Sequence, residues 1–471
     1  SIDKVPVCDH GPMNTPPTFD TDPLALGGRF PADFAWGFAA SAYQIEGAVL
    51  AGGRGPSIWD RFSATPGKTA HAATGEIAAD HFHRVSDDVA LMRELGLGAY
   101  RFSIAWPRIF PTGSGRPNAA GVDFYRRLVD ELTQAGIAPQ ATLYNWDLPQ
   151  ALQDKGGWLH RDTASHFGEY AYTVASALGD GVHTWTTISE PATAAFMGHW
   201  SGEHAPGARD IRAGLLAAHN MLLAHGEGLV ALRSEMRPGD EAGISLNLVP
   251  AFPAGDSNAD LEAADRYDGF QNRWFLDALF RGDYPDDIVR LYGDAMPEIG
   301  EYDFRLISQP IDFLGVDYFT RAVVAYDAAS PPLQARLTVP AGARRTGTGR
   351  EIYPRGIYDV LTRVHEDYAP RKVFITENGA AFPDFLTEGY VDDPARETFL
   401  HEHILEVHRA LQDGVPIAGY SVWSLLDNFE WQHGYEARFG LVYVDFATQE
   451  RTIKRSGRWY AEVTRENGVS G

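Results

Sequence analysis

Eight short apolar or β-prone runs punctuate this chain: FAWGFAA (34–40), AYRFSI (99–104), IAPQATL (137–143), TWTTI (184–188), AGISLNL (242–248), DFLGV (312–316), KVFIT (372–376) and IAGYSVW (417–423). Several are nearly continuous in hydrophobicity, the pattern of parallel strands buried on both faces. Helical patterns lie between them. In GVDFYRRLVDELTQAG, Val122, Tyr125, Leu128, Val129 and Leu132 share one face and Gly136 marks the stop. In VSDDVALMRELG, Val85, Val89, Met92 and Leu95 do the same. After residue 30 no linker, charge block or low-complexity segment divides the chain. Strand followed by helix, repeated in one uninterrupted chain, predicts an α/β fold: a single (β/α)8 TIM barrel over 29–471. The long stretches 41–98 and 317–371 must then form extended loops over its C-terminal face. An open doubly wound sheet is the weaker alternative, because no GxGxxG follows the first strand. Residues 1–28, rich in Pro, Asp, Thr and Gly, read as an N-terminal extended arm.

Charge removes several function classes. Lys and Arg number 40 against 63 Asp and Glu, a net charge of −23 over 471 residues, with no basic run to break it. A phosphate-tracking surface needs the opposite sign, so neither nucleic acid nor an anionic membrane is an expected partner. The single cysteine, Cys8, allows no intramolecular disulfide and no thiolate metal cage. No stretch approaches the ~18 consecutive apolar residues of a spanning helix. The N-terminal residues lack a basic segment followed by an apolar one, which points to a cytoplasmic setting. No HExxH or Cys/His cluster is present; His401 and His403 in LHEHIL read as helix-surface residues. No metal and no cofactor is expected.

In a barrel of this kind catalytic groups sit at the C-terminal ends of the strands. Two runs end in a glutamate there: Glu190 in WTTISEP and Glu377 in KVFITENG. Arg101 lies in the second run, and WSLLDNFEW after the last holds Trp423, Glu430 and Trp431. One strand-end glutamate reads equally well as half of a surface ion pair. Two carboxylates aimed into one mouth, with indole rings around them, suit carbohydrate chemistry. Indole covers the apolar C–H face of a sugar while carboxylates and amides take its hydroxyls. Glycosidic cleavage needs one carboxyl as acid and a second as nucleophile or base.

The motifs FAWGFAASAYQIEGA, YRFSIAWPRIFP, TLYNWDLPQAL, WTTISEP, ITENGA and WSLLDNFEWQHGYEARFGLVYVDF, in this order, resemble the signatures of the family-1 glycoside hydrolases, the β-glucosidase family. The resemblance implies a (β/α)8 barrel and hydrolysis of a small-molecule β-glycoside with retention, through a covalent glycosyl-enzyme. It makes Glu377 the nucleophile, Glu190 the acid/base, and Arg101 the neighbour of the nucleophile. Gln44 and Glu430 would grip sugar hydroxyls, and Trp423 and Trp431 would line the sugar site, together with Trp146 of TLYNWDLP. A guanidinium beside Glu377 is expected to lower its carboxyl pKa. An anionic Glu377 is expected to raise that of Glu190. The carboxyl separation expected for retention is ~5–5.5 Å.

Against the family pattern, Asn145 stands where His is usual, Ser189 where Asn is usual, Asp317 where Asn is usual and Phe319 where Tyr is usual. Arg350 stands where a Trp usually flanks the leaving group, and it suits an aromatic or anionic aglycone. Ser189 is an amide shorter than the residue that would read the sugar 2-hydroxyl, and Phe319 offers Glu377 no donor. These departures fit a specialised glycone, such as a deoxysugar on a secondary metabolite. An ordinary β-glucoside served by neighbouring residues is the alternative. A transglycosidase using the same carboxylates and a catalytically silent sugar-binding protein are the other functional readings. Glu430 argues against a phosphorylated sugar, whose charge it would repel.

Overall fold

A computed structural model describes residues 28–469. The extended arm, apart from Gly28, and Cys8 lie outside these residues. All eight apolar runs are strands of one closed parallel barrel: β1 (Ala35–Ala40), β2 (Ala99–Ser103), β3 (Ala138–Tyr144), β4 (Thr184–Ser189), β5 (Glu241–Asn247), β6 (Phe313–Asp317), β7 (Val373–Asn378) and β8 (Ile417–Trp423). Each pairs with its neighbours in chain order, and β8 closes the ring against β1 from Gly419 opposite Ala35 to Trp423 opposite Ala39. Closure leaves no unpaired edge, and the interior is filled by side chains rather than solvent.

At least one helix follows each strand, the longest after each being α1 (His81–Glu94), α2 (Ala119–Gln134), α3 (Asp162–Leu178), α4 (Ile211–Glu235), α5 (Asn258–Asp268), α6 (Arg355–Tyr368), α7 (Pro394–Gln412) and α8 (Arg455–Glu466). In α2 the apolar face reads as expected: Tyr125, Leu128, Val129 and Leu132 are buried with Phe124. Helix α1 starts at His81, ahead of the apolar pattern, and buries Val85, Val89 and Met92. Helix α4 is long and apolar enough to cross a bilayer, but most of that stretch is buried in the barrel wall. His403 corrects the surface reading of LHEHIL: it is fully buried in α7, with Nδ1 2.7 Å from the Phe399 carbonyl and its ring stacked on Phe399. The helix period puts residue 403 four positions after Phe399, on the face that packs inward.

The loops over the C-terminal face carry their own structure. The β1–α1 connection contains a short helix, Ile58–Ser63, begun by a capping box between Ser57 and Asp60. The β6–α6 connection contributes strands Ala322–Tyr326 and Ala335–Thr338, which form a small sheet with Ala251–Pro253 from the β5–α5 connection. A buried charge cluster joins the loops after β7 and β8: Lys454 bonds Asp384 and Asp427, and Arg396 bonds Asp384 and Asp393. Each ion there has an oppositely charged partner, the condition for burying it at all.

The ends of β7 and β8 approach so closely that only glycine fits between them. A Cβ on Gly379 would lie 1.8 Å from the Trp423 carbonyl oxygen. Gly379→Ala is therefore expected to push these strand ends apart. It should cost about 1–3 kcal/mol or more, the range for overpacking a filled interior, read as a lowered thermal midpoint with a parallel loss of any activity seated at that end of the barrel.

Candidate active site

An open cleft of about 640 Å³, its mouth included, occupies the C-terminal face and lies within the size range of small-molecule sites. Glu190 and Glu377 both line it. The ladder is irregular next to each. Between β7 and its neighbours the register shifts after Ile375, and between β4 and β5 it shifts after Thr186. Such bulges re-aim side chains at barrel rims. Glu190 takes a left-handed backbone conformation, φ 48°, as the chain leaves β4, and so do Trp146 (φ 73°) and Trp431 (φ 47°). Non-glycine residues adopt this conformation at a cost, and here three of them face one cleft.

Arg101 on β2 reaches across the barrel interior. Its Nη1 donates to Glu377 Oε1 at 2.5 Å and its Nη2 donates to Ser189 Oγ at 2.9 Å. Glu190 Oε2 accepts from Thr193 Oγ1 at 2.7 Å and from Asn247 Nδ2 at 3.3 Å. One carboxylate oxygen each from Glu190, Asp317 and Glu377 lies within 4.8 Å of the other two. This is the one close triple of acidic, His or Cys ligand atoms among the described residues, and each member is already engaged by the guanidinium or by hydroxyl and amide donors.

Electrostatics differ from the simple expectation. Arg101 does pull the Glu377 carboxyl down, but burial first, and then the Asp317 carboxyl, push it well above the usual range. Glu190 is pushed up to about 7, chiefly by burial and next by Asp317 rather than by Glu377. Three buried carboxyls face one guanidinium, so the proton affinity of each depends on the charge of the others. The ion pair with Arg101 assigns the available negative charge to Glu377.

Most of the sugar-facing residues expected from sequence surround this pair. Gln44, Asn145, Trp146, Phe319, Arg350, Trp423, Glu430 and Trp431 line the cleft. Gln44 Nε2 donates to Glu430 Oε2 at 3.2 Å, and burial pushes the Glu430 carboxyl up to about 7. Trp431 is clamped between Trp59 and Trp146, ring centroids 4.4 and 4.6 Å away. Arg350 lies over the Phe319 ring at 5.4 Å. Two residues assigned to substrate binding are placed differently. Ser189 and Asp317 are 1% and 0% exposed and lie beneath the cleft rather than along it. The short Ser189 side chain ends at Arg101, and Asp317 is turned inward onto hydroxyls of β5 and β7. Arg101 likewise lies under the floor. Sequence reasoning missed Thr193, His204, Asn247, Gln432 and Phe439 in the lining. Asn247 lies in the fifth apolar run, at the end of β5, and was legible by that position; His204 and Phe439 come from loops with no local signal.

The chain matches the family described as Glycosyl hydrolase family 1 over residues 26–469. It is 46% identical over 443 residues to the β-glucosidase A of Acetivibrio thermocellus, covering 93% of this chain and 99% of that one. The family 1 β-glucosidase from Thermotoga maritima superposes with a TM-score of 0.92 at 44% identity, covering 94% of this chain and all of that one. The same enzyme in complex with isofagomine lactam superposes with a TM-score of 0.91. The cleft at the barrel mouth, the family match and the identity over nearly the full length lead to one conclusion: this chain belongs to glycosyl hydrolase family 1 and is a β-glycoside hydrolase.

Proposed function

We propose that this protein is a retaining β-glycosidase in which Glu377 attacks the anomeric carbon and Glu190 manages the proton. The observation that carries this reading is the closeness of the pair, one carboxylate oxygen of each lying within 4.8 Å of one on the other. Inversion needs carboxyls ~6.5–9.5 Å apart to admit a water between them, whereas direct attack needs about 5–5.5 Å. The position of the guanidinium supports the same allocation, while burial pushes both carboxyls up. Glu377 is held by a guanidinium that stabilises its anion, and Glu190 is a buried acid that keeps its proton to about pH 7. As Glu377 becomes an ester its charge disappears, and Glu190 can then deprotonate the incoming water. Glu377→Ala is expected to abolish turnover of a nitrophenyl β-glycoside. A 2-deoxy-2-fluoro glycoside should leave a mass adduct on Glu377, and NMR of the first-formed sugar should show the β anomer. Release of the α anomer would overturn the proposal.

The pH dependence follows from Glu190. The acid form is the active one, so activity towards substrates with poor leaving groups should fall as pH rises through about 7. The fall should approach tenfold per pH unit. Glu190→Gln should remove this alkaline limb and slow such substrates by about 10²–10⁴, the usual worth of general acid catalysis, while activated leaving groups suffer less at the first step. A pH profile of kcat/KM for both proteins tests this.

For the glycone, we propose a sugar poor in hydroxyls near the anomeric carbon. Ser189 is spent on Arg101 under the floor, and Phe319 presents a ring with no donor to the cleft. Interactions with the 2-hydroxyl supply several kcal/mol in glycosidases that read it, and this cleft lacks that donor at residue 189. A 2-deoxy β-glucoside and its glucoside counterpart, each normalised to its spontaneous hydrolysis, should therefore react with similar rate enhancements. A large preference for glucose would refute the deoxysugar reading and leave the retaining mechanism intact.

A further inference from the structure

Beneath the cleft, Ser245 of β5, Thr376 of β7 and Asp317 of β6 form a closed triangle of oxygen contacts. Ser245 Oγ is 2.7 Å from Asp317 Oδ2 and 2.7 Å from Thr376 Oγ1, and Thr376 Oγ1 is 2.6 Å from Asp317 Oδ1. The space exists because residue 315 is glycine: a Cβ there would meet Thr376 Oγ1 at 2.8 Å and Ser245 Cβ at 3.0 Å. Three oxygen–oxygen contacts this short each need a hydrogen between them, and a serine and a threonine hydroxyl supply two. Among the described residues no further donor bonds these oxygens. An edge without hydrogen would set two lone pairs against each other in a buried place, a costly arrangement.

We propose that Asp317 works as a neutral carboxylic acid whose proton completes this ring, a positioning residue that leaves Glu377 as the one carboxylate facing Arg101. The hydrogens then run in one sense around the triangle, from the acid to one hydroxyl, to the other, and back to the second carboxyl oxygen. Burial acts in the same direction, pushing the Asp317 carboxyl up against the pull of Arg101 and the two hydroxyls.

The inference rests on the glycosidase reading above for its consequence. The charged and titratable groups facing Asp317 are Glu377 from β7, Glu190 from the end of β4 and Arg101 from β2; β5 presents the uncharged Ser245 and Asn247. With Asp317 neutral its charge no longer pushes the two glutamates up, burial remains as the cause of their displacement, and Arg101 and Glu377 balance. In the first step the Glu377 oxygen bonds the anomeric carbon, the bond to the leaving oxygen breaks, and the Glu190 proton moves to that oxygen. Glu377 is then an uncharged ester and Glu190 a carboxylate, so the cluster is still balanced by Arg101. Water attack reverses both changes. An ionised Asp317 would leave an extra negative charge buried in both halves of the cycle.

The test is the pH profile of Asp317→Asn, whose amide keeps one donor and one acceptor for the ring. The acid limb of kcat/KM, set by ionisation of Glu377, should stay in place, because one neutral group replaces another. Were Asp317 ionised, removing a full charge within 4.8 Å would move that limb down by about two pH units, and this result would overturn the proposal. Neutron diffraction on deuterium-exchanged wild-type crystals decides the point without activity or a variant. Three deuterons on the ring edges are expected, and two would overturn it. If no β-glycoside were turned over, the glycosidase reading would fail while the deuteron count still reported on Asp317.

Discussion

The ion pair of Arg101 with Glu377 is the interaction around which the mouth of this barrel is organised. It spans from β2 to β7 across an interior that admits almost no water, with the Arg101 side chain 3% and the Glu377 side chain 8% exposed. A lone carboxylate in such a place would take up a proton, and a lone guanidinium would be equally costly. Together they offset each other's charge beside the cleft that Glu377 lines. The same guanidinium also bonds Ser189, next to Glu190, and so ties the two carboxyl-bearing strand ends together.

Around this pair the protein sets protons by burial rather than by contact alone. Glu190, Asp317 and Glu430 are each displaced upward, with desolvation as the leading cause. Neighbouring donors then separate them. Glu190 accepts from a hydroxyl and an amide at the cleft wall, while Asp317 shares hydrogen bonds with two hydroxyls from below. The carboxyls thereby differ in the partners that hold them. The aromatic wall has a complementary part. Trp431 packs against two other indoles and forms part of the cleft wall.

The departures from the family pattern now have separate physical meanings. Asn145, Phe319 and Arg350 line the cleft. Ser189 and Asp317 do not reach it, and they change instead how Arg101 and the carboxyl cluster are supported. Spacing in the chain could not separate these two groups, because Asn145 and Phe319 lie as near to strand ends as Ser189 and Asp317 do.

Much of this protein was legible before any coordinate. Eight apolar runs alternating with amphipathic helices specify a closed barrel, because strands apolar on both faces can be covered in few other ways. Their C-terminal ends named both glutamates, since that is where such a fold exposes polar groups. What only the tertiary structure decided was depth and direction. Whether His403 or Ser189 is buried, whether Asp317 points into the cleft or away from it, and which way Glu377 is displaced all depend on contacts between strands far apart in sequence. Burial and the local field are sums over such neighbours, and no single segment of the chain contains them.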